Sequence, residues 1–541
     1  MCDGWEFRTQ WSEPAVLRWS QVAGPWPPFY FAKKGVVRMS EKVLIAVDNG
    51  GSETKCAVFS LDGKELAVAS RRLPIEVPQP AWSERDAEAV WQMSAEAIRE
   101  ALETAGVDGA DVAGVGLTGY GNGVCFVDEQ GVPTYKAVVS TDERADDICS
   151  EFAENGVERA IYPMTCQSTW AAQPAAMLPW FKRNMPEVLE KTRWCLGIKD
   201  YIRFRLTGEF KTEMTEASST CLLNLHTREF DPAIFEALGI PELLRIMPPV
   251  LESCDISGYV SDEAAAECGL VAGTPVASGY FDIDAAEFAS GVADTETLCL
   301  IAGTWSINER LATEANTDYD KNKNTVTLGY RPGYYNVEES WPTSASNFDW
   351  FVSNFLEADR EGVSRSRIYA ECNAAVAALD PSDSDVVFVP YLYGSSYPSG
   401  ADATFMGLSS YTTRDQMLLA VYEGVCFSTL WNVQQLVGKD LSGRRVRLSG
   451  GVAKSHEWTQ IMADVLQVPV ETLANSELSA QGAAMGAGVA CGAYASYDEA
   501  IEKAVRVGET VYPRPELAEV YKRKYARYER ALEALKTFGE V

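Results

Sequence analysis

Two short segments of similar design constrain the fold of this chain more than any other feature. The segment "IAVDNGGSETKCAVFSLDG" (45–63) is an apolar strand that ends at Asp48, turns through two glycines and a serine, and continues as a second strand. The segment "TLCLIAGTWSINERLA" (297–312) repeats the design without the acid, 253 residues later when Gly50 is aligned with Gly303. Such turns present backbone N–H groups that bind phosphate. Either turn alone is compatible with an ordinary hairpin, but the pair favours two similar halves around a ligand with several phosphates.

Strands and helices alternate along the rest of the chain. "VLIAV" and "VAGVGLTG" predict buried strands, and "DAEAVWQMSAEAIREALETAG" between them has apolar residues at helical spacing and a glycine stop. This alternation predicts an α/β fold with ligands at the strand ends. The length of 541 residues exceeds one hydrophobic core and predicts two or three domains.

The composition excludes several classes of function. A formal net charge of −30 argues against nucleic acid and anionic membranes as partners. The sequence contains no run of eighteen apolar residues, so it predicts no membrane span. Thirteen cysteines without a CxxC pair are typical of a reducing cytoplasm, where we expect the protein. Because the only histidines are His226 and His456, a general base is expected to be a carboxylate.

The first 38 residues differ from the rest of the chain. They contain four tryptophans and no usable periodicity, whereas "MSEKVLIAVD" from Met39 resembles a natural beginning. The codons for Lys33, Lys34 and Gly35 are purine-rich, as in a bacterial ribosome-binding site. We expect Met39 to be the true start and interpret 1–38 as a non-native or disordered extension translated from upstream DNA, with a real disordered or packing arm as the alternative.

Three later segments also predict structure. "VRLSGGVAKSHEWTQIMADVLQVPV" (446–470) is a strand, a glycine pair and an amphipathic helix, an arrangement that favours an anion or the flat face of a nucleotide. The small residues of "SAQGAAMGAGVACGAY" (479–494) predict close packing of a helix. In the last segment, aromatic and aliphatic residues share one helical stripe and predict a core face: Tyr521, Tyr525, Tyr528, Leu532 and Leu535.

Nine motifs in order resemble the FGGY family of carbohydrate kinases. They are "AVDNGGSETK", "AWSERDAEAVW", "GLTGYGNGV", "STDERA", "KDYIRFRLTGEF", "GYFDIDAAEFASG", "AGTWS", "VPYLYGSSYP" and "SGGVAKSHEW". The resemblance implies two actin-like (ribonuclease H-like) α/β ATPase domains around a central cleft that binds ATP and a sugar. The first would span 39–291 with the sugar site, the first phosphate loop and the catalytic aspartate. The second would span 292–541 with the second loop and the adenosine site.

The resemblance also implies the general base. The family places it in a G-x-x-D context with a glycine nine residues on, which matches Gly279, Asp282 and Gly291. Asp282 would contact the sugar and take the proton of the attacking hydroxyl. We expect a helix to begin here, with a dipole that keeps Asp282 ionised. Asp284 would share a face with Asp282 in an extended segment and diverge from it in a helix; a helix N-cap is its alternative role.

The resemblance further implies the nucleotide and metal ligands. Asp48 matches the acid that holds Mg²⁺ against the β- and γ-phosphates, directly or through water. For Lys55, a solvated charge at a strand end is the alternative to a phosphate contact. The positions that match ATP-binding ones are Gly50, Gly51, Ser52, Lys55, Gly303, Thr304, Gly450, Gly451 and Ser455.

The positions that match sugar-binding ones are Tyr120, Asn122, Asp142 and Arg144. Gly121 and Asn122 replace the Met-His pair common in xylulose kinases, and Ser140 replaces a tryptophan. The pocket wall therefore differs, and the pattern is most similar to the L-xylulose and 3-keto-L-gulonate kinase branch. We expect a kinase for L-xylulose or a related sugar. The resemblance also implies a homodimer. The alternatives are another ketose or polyol (erythritol, D-xylulose, L-ribulose) or a catalytically silent sugar sensor.

Overall fold

Two seven-stranded sheets organise the computed structural model, which describes residues 42–322, 324–357, 360, 362–394 and 401–539. The first sheet has the order Ile256–Tyr259, Pro275–Ala277, Val112–Gly119, Val43–Asn49, Glu53–Ser60, Glu65–Arg72, with Tyr280–Phe281 also pairing with Val112–Gly119. The second has the order Thr325–Leu328, Tyr335–Trp341, Ser306–Ala312, Thr297–Ala302, Arg445–Gly450, Val470–Leu473, Val507–Val511. The interpretation of 1–38 lies outside the described residues.

Short ladders and helices complete the described part of the chain. The two-stranded ladders join Glu84–Arg85 to Ala137–Val138, Cys125–Val127 to Trp194–Leu196, Thr212–Glu213 to Val250–Leu251, Leu223–Asn224 to Glu229–Phe230, and Val387–Val389 to Thr404–Met406. The α-helices are Ala87–Ala105, Asp146–Asn155, Val157–Thr165, Pro174–Asn184, Pro186–Lys191, Ile198–Thr207, Met214–Ser219, Pro232–Ala237, Asp262–Cys268, Asp282–Ala289, Ser346–Phe355, Arg365–Ala377, Arg414–Val437, His456–Leu466, Leu478–Ala490, Tyr497–Ala504 and Ala518–Gly539. Within the described ranges, no helix has the length and apolar character needed to cross a membrane.

The repeated sequence design corresponds to a repeated topology. In the first sheet, Val43–Asn49 pairs antiparallel with the strand after its turn and parallel with Val112–Gly119. In the second sheet, Thr297–Ala302 pairs antiparallel with the strand after its turn and parallel with Arg445–Gly450. Each glycine turn therefore lies at the carboxyl end of a central parallel strand. The prediction of two similar α/β halves is confirmed.

The helix Leu478–Ala490 belongs to the second half of the sequence but packs on the first sheet. A Cβ atom at Gly482 would overlap the carbonyl oxygen of Ala285, and one at Gly116 would overlap that of Ala483. The predicted close packing of these small residues is confirmed. Because Glu41–Val541 forms one compact unit, the domain division at 291/292 stays a prediction.

The C-terminal helix also follows its sequence pattern. Its aromatic and leucine stripe is buried in the core of the second half, as predicted: Tyr521, Tyr525, Tyr528, Leu532 and Leu535.

Buried carboxyl groups lie where the helix Asp282–Ala289 meets the second sheet. Glu309 and Glu338 are direct cross-strand neighbours, so their side chains share a face. Asp284 and Glu287 are fully buried, and their carboxyl oxygens make no hydrogen bond with the described residues. Burial raises the pKa of all four acids, and that of Glu287 reaches about 8. Glu287 therefore holds its proton at neutral pH.

The close approach at Gly116 predicts a loss of stability on enlargement. We expect Gly116→Ala to destabilise the protein by about 1–3 kcal/mol, because the methyl group meets backbone rather than a mobile side chain. Thermal melting measures the effect. Gly51→Ala is the control for stability, since a Cβ there meets nothing within 4 Å. Equal melting temperatures for the two variants would contradict the close packing of this helix on the first sheet.

The protonated state of Glu287 predicts a pH-dependent stability. A carboxyl whose folded pKa lies above its unfolded value stabilises the fold fully below the unfolded pKa, and this contribution is lost as the pH rises towards 8. We therefore expect Glu287→Gln, which cannot ionise, to melt about 2–5 °C above the wild type at pH 8.5 and not at pH 5. The exposed Glu502→Gln is the matched control. A wild-type minus variant difference that does not change with pH would show that Glu287 is ionised throughout.

Candidate active site

The first glycine turn is closed by one backbone hydrogen bond and leaves two N–H groups free. The N–H of Gly50 donates to the carbonyl oxygen of Glu53 at 3.0 Å. Gly51 and Ser52 are exposed, and their N–H groups make no hydrogen bond with another described residue. Adjacent free N–H groups form a concave site for an anion. This turn therefore has donors of the kind that bind phosphate, and the contact with ATP stays a prediction.

Arg85 holds the opposite side of this turn. Its buried guanidinium donates to the carbonyl oxygen of Gly50 at 3.1 Å and to that of Gly51. The same group lies 5.6 Å from the centre of the Tyr120 ring. With the carbonyl groups turned towards Arg85, the turn is stabilised with its N–H groups available for a ligand. Sequence reasoning missed this role, although Arg85 lies inside the quoted motif "AWSERDAEAVW".

Asp48 is a half-buried acid with incomplete charge compensation. It lies opposite Lys55 in the antiparallel ladder. The Nζ of Lys55, however, lies 3.0 Å from an oxygen of Glu477 and 3.4 Å from one of Glu53. Lys55 is thus paired with acids in this structure, and its contact with a phosphate stays a prediction. Burial raises the pKa of Asp48 to about 6, despite the opposing effect of Lys55.

These properties fit a magnesium ligand at Asp48. Mg²⁺ keeps several waters and needs only one or two carboxylates, and a cation would compensate the buried charge. Within the described ranges, no group of three or more His, Cys, Asp or Glu side chains is placed to hold a metal ion by itself. A metal here would therefore depend on its water and on the nucleotide phosphates for its other ligands.

Asp282 lies at the same edge of the first sheet. Asn49, Gly119 and Phe281 are in register across three strands. Asp48 and Asp282 therefore lie on either side of the strand Val112–Gly119. Two strand spacings correspond to roughly 10 Å. The predicted helix does begin at Asp282. Burial, followed by the charges of Asp48 and Glu216, raises the pKa of Asp282 well above its usual value and outweighs the lowering effect of the Ile283 N–H at the helix start.

Asp284 does not share the position of Asp282. Both residues lie in the first turn of the helix, where successive side chains diverge. The N-cap residue is Phe281, so the alternative of an N-cap role for Asp284 is wrong. Asp284 instead lies among the buried acids between the helix and the second sheet.

Tyr120 and Asn122 lie on the loop that follows the central strand of the first sheet. Asn122 has a φ of 66°, and its N–H donates to Oε1 of Glu216 at 3.1 Å. The Tyr120 hydroxyl and the Asn122 Oδ1 are buried without a hydrogen-bond partner among the described residues. The same holds for Oδ1 of Asn49 and Oγ1 of Thr118, which sequence reasoning missed. Unsatisfied buried polar atoms concentrated at one strand edge are expected where a polar ligand binds.

A buried ionic network supports this edge from below. Nζ of Lys199 lies 3.0 Å from Oε1 of Glu213 and 3.5 Å from Oε2 of Glu216. Glu213 accepts a hydrogen bond from the Thr215 hydroxyl, which in turn accepts the N–H of Phe281 at 2.8 Å. Burial raises the pKa of Glu216 to about 7. The network fixes the backbone directly before Asp282, a role that the sequence pattern did not indicate.

Asp142 and Arg144 lie in a buried cluster of their own. Two nitrogens of Arg144 donate to the two carboxylate oxygens of Asp142, each at 2.8 Å, and one of them also donates to Glu84 at 2.8 Å. The guanidinium lies 4.0 Å from the centre of the Trp82 ring. Neither the Asp142 nor the Arg144 side chain has exposed surface. Both therefore stabilise their own loop against Glu84 and Trp82, and a direct sugar contact stays a prediction.

The second glycine turn repeats the first. The N–H of Gly303 donates to the carbonyl oxygen of Trp305 at 3.0 Å, and Thr304 is exposed. Gly450 lies beside it, opposite Ala302 in the parallel ladder. Gly450 has a φ of 89°, and a Cβ atom there would overlap the carbonyl oxygen of Ala302, so only glycine fits.

Ser455 follows Gly451 and caps a helix. Its Oγ accepts the N–H of Trp458 at 3.1 Å and donates to Oδ1 of Asn373 at 3.0 Å. A contact of Ser455 with adenosine stays a prediction. No hydrogen bond or ion pair between described residues joins the first glycine turn to the second, so their common triphosphate also stays a prediction.

Comparison with known proteins identifies the family. Residues 43–289 match the N-terminal domain, and residues 298–491 the C-terminal domain, of the FGGY family of carbohydrate kinases. An L-xylulose/3-keto-L-gulonate kinase of Escherichia coli (strain K12) is 32% identical over 496 residues, which cover 91% of this chain and 97% of that protein. A xylulose kinase of Bacillus subtilis (strain 168) is 27% identical over 491 residues, 90% of this chain and 96% of the relative.

Solved structures agree with this assignment. The crystal structure of xylulose kinase from Rhodospirillum rubrum has a TM-score of 0.83 and 28% identity, and covers 92% of this chain and 100% of its own. Plasmodium falciparum glycerol kinase with ADP, at 20% identity, shares the fold with a TM-score of 0.79 over 92% of this chain and 98% of its own. The fold prediction is confirmed as the two-domain α/β, actin-like architecture of these sugar kinases. The chain belongs to the FGGY family of carbohydrate kinases.

Proposed function

We propose that this kinase transfers the γ-phosphoryl group of ATP to a hydroxyl of a ketopentose, L-xylulose first, or of a related sugar. The observation that carries the proposal is the position of Asp282. It starts a helix at the strand edge where Tyr120 and Asn122 hold buried polar atoms that have no hydrogen-bond partner among the described residues. Asp48 and a free glycine turn lie at the same edge. An acceptor hydroxyl and a phosphate can therefore meet beside one carboxyl group.

Asp282 acts as the general base. Phosphoryl transfer depends on positioning and charge neutralisation, and the carboxylate takes the proton of the attacking hydroxyl. A raised pKa makes the ionised carboxylate a stronger base, while the negative charges of Asp48 and Glu216 oppose its ionisation. Asp48 would hold Mg²⁺, and the bound ion would supply positive charge against the β- and γ-phosphates. The bond between Thr215 and the N–H of Phe281 holds the base in place.

The two glycine turns bind the phosphates of ATP. The N–H groups of Gly51 and Ser52 supply donors from the first half, and the turns at Gly303 and Gly450 supply the second. Backbone donors bind phosphate without a large positive side chain, which suits a protein with a net charge of −30.

The proposed sugar rests on the loop after the central strand. Asn122 offers both a donor and an acceptor for sugar hydroxyls. The E. coli relative, named for L-xylulose and 3-keto-L-gulonate, favours L-xylulose as the first candidate. The related ketoses and polyols remain the alternatives for the same site.

We expect magnesium-dependent ADP release with one sugar of a panel of pentuloses, hexuloses, polyols and keto-sugar acids. With that sugar, Asp282→Asn should lower kcat by roughly 10²–10⁴-fold, because the amide cannot accept the proton. Calorimetry should show that the sugar still binds. Asp284→Asn is the matched control and should keep activity, since the buried Asp284 already has a raised pKa and lies on another side of the helix. A near-normal rate of Asp282→Asn would exclude Asp282 as the base.

The hydrogen bonds from Arg85 to the first glycine turn predict that Arg85 affects the binding of ATP. Lysine keeps the charge but cannot reach both carbonyl groups with a planar fork. We expect Arg85→Lys to raise the KM for ATP roughly 10-fold, since bonds from a charged donor contribute about 1.5–3 kcal/mol. Steady-state ADP release measures it. Arg71→Lys, at an exposed ion pair with Glu96 and Glu100, is the control. An unchanged KM for ATP would show that the turn conformation stabilised by Arg85 does not contribute to phosphate binding.

A further inference from the structure

The ring of Phe281 occupies the place of a side chain at position 121. A Cβ atom built on Gly121 would lie 2.5 Å from Cε2, 2.7 Å from Cδ2 and 2.9 Å from Cζ of Phe281. All three distances are well below van der Waals contact, so a residue larger than glycine at 121 requires the ring to move. The bulk that is missing from the loop sequence is therefore supplied by a neighbouring strand.

The backbone of Phe281 is fixed on three sides. Its strand pairs with the central strand of the first sheet, with Phe281 opposite Gly119. Its N–H donates to the Thr215 hydroxyl at 2.8 Å. It is also the N-cap residue of the helix that begins with Asp282. The ring thus projects from a rigid position one peptide bond from the base, and it remains only partly buried.

The surroundings of the ring divide into a polar and an apolar side. Tyr120 and Asn122, which flank Gly121, hold the unsatisfied hydroxyl and carbonyl oxygen. Phe281 provides an aromatic surface beside them. A sugar has the same division, with hydroxyl groups on its edges and a C–H face that packs against an aromatic ring.

We propose that Phe281 is the specificity-determining wall of the acceptor pocket and, together with Gly121, selects five-carbon ketoses over six-carbon ones. This rests on the proposed kinase function. The chain length of the acceptor is limited because the backbone holds the ring beside the base, where an additional carbon of the acceptor would meet it. In such a pocket, one additional carbon group changes kcat/KM by about 10–200-fold.

A double-mutant cycle tests this wall. Phe281→Ala should raise the ratio of kcat/KM for hexuloses to kcat/KM for pentuloses about 10-fold or more, because it opens the space for a further carbon. Gly121→Ala alone should lower kcat/KM for the pentulose, because its methyl group displaces the ring. Adding Phe281→Ala to Gly121→Ala should recover part of that loss, whereas unrelated roles would give additive losses.

Two further variants keep the test decisive. Phe538→Ala, at a phenylalanine that is 81% exposed, is the matched control for loss of an aromatic ring. Phe281→Leu retains bulk without the flat ring and should show a smaller change of the same sign, which serves if Phe281→Ala melts too low for assay. Melting curves of all variants separate folding from selectivity.

The possible failures are distinguishable. If wild-type protein releases no ADP with any sugar of the panel, the proposed function is wrong. If the wild type is active but Phe281→Ala and Phe281→Leu change kcat/KM for every sugar by the same factor, the kinase proposal stands and the pocket-wall inference is overturned. Additive losses in the double variant would overturn it as well.

Discussion

The register of three strands at the carboxyl edge of the first sheet determines the site. Asn49, Gly119 and Phe281 lie side by side, so the residues next to them, Asp48 and Asp282, face the same end of the sheet. Arg85 donates hydrogen bonds that stabilise the glycine turn at this edge, and the Thr215 hydroxyl accepts the N–H of Phe281 directly before the base. A shift of one residue in the strand Val43–Asn49 would move Asp48 to the opposite face of the sheet.

The same edge concentrates negative charge in a buried environment. Burial raises the pKa of Asp48 and of Asp282, and the charge of Asp48 raises the pKa of Asp282 further. A structure that keeps such groups gives up stability at the site, which is typical of residues retained for function. The buried acids around Glu287 carry the same cost in stability between the helix and the second sheet. There Glu287 has no hydrogen-bond partner among the described residues, and burial raises its pKa.

Several local features could be predicted from the sequence. The two glycine turns, the small-residue helix and the stripe from Tyr521 to Leu535 depend on local conformation and on the period of apolar residues. Both incorrect expectations lie at one helix start. There the predicted dipole effect on Asp282 and the N-cap role of Asp284 were overridden by burial and by the capping position of Phe281. Arg85, Thr215 and Phe281 were missed because their partners are distant in sequence and no local pattern marks them.

The sequence by itself determined the α/β class, the repeated turn and the order of family motifs, because each is carried by contiguous residues. Only the tertiary structure decided which motif residues are paired with one another and which are not. It placed Asp142 and Arg144 in a buried pair and Lys55 among acids, and it left polar atoms of Tyr120 and Asn122 without partners in the part of the chain that the structure describes. It also filled the space at Gly121 with a ring from residue 281. The physical reason is that hydrogen bonding and packing depend on neighbours that the fold brings together from distant parts of the chain.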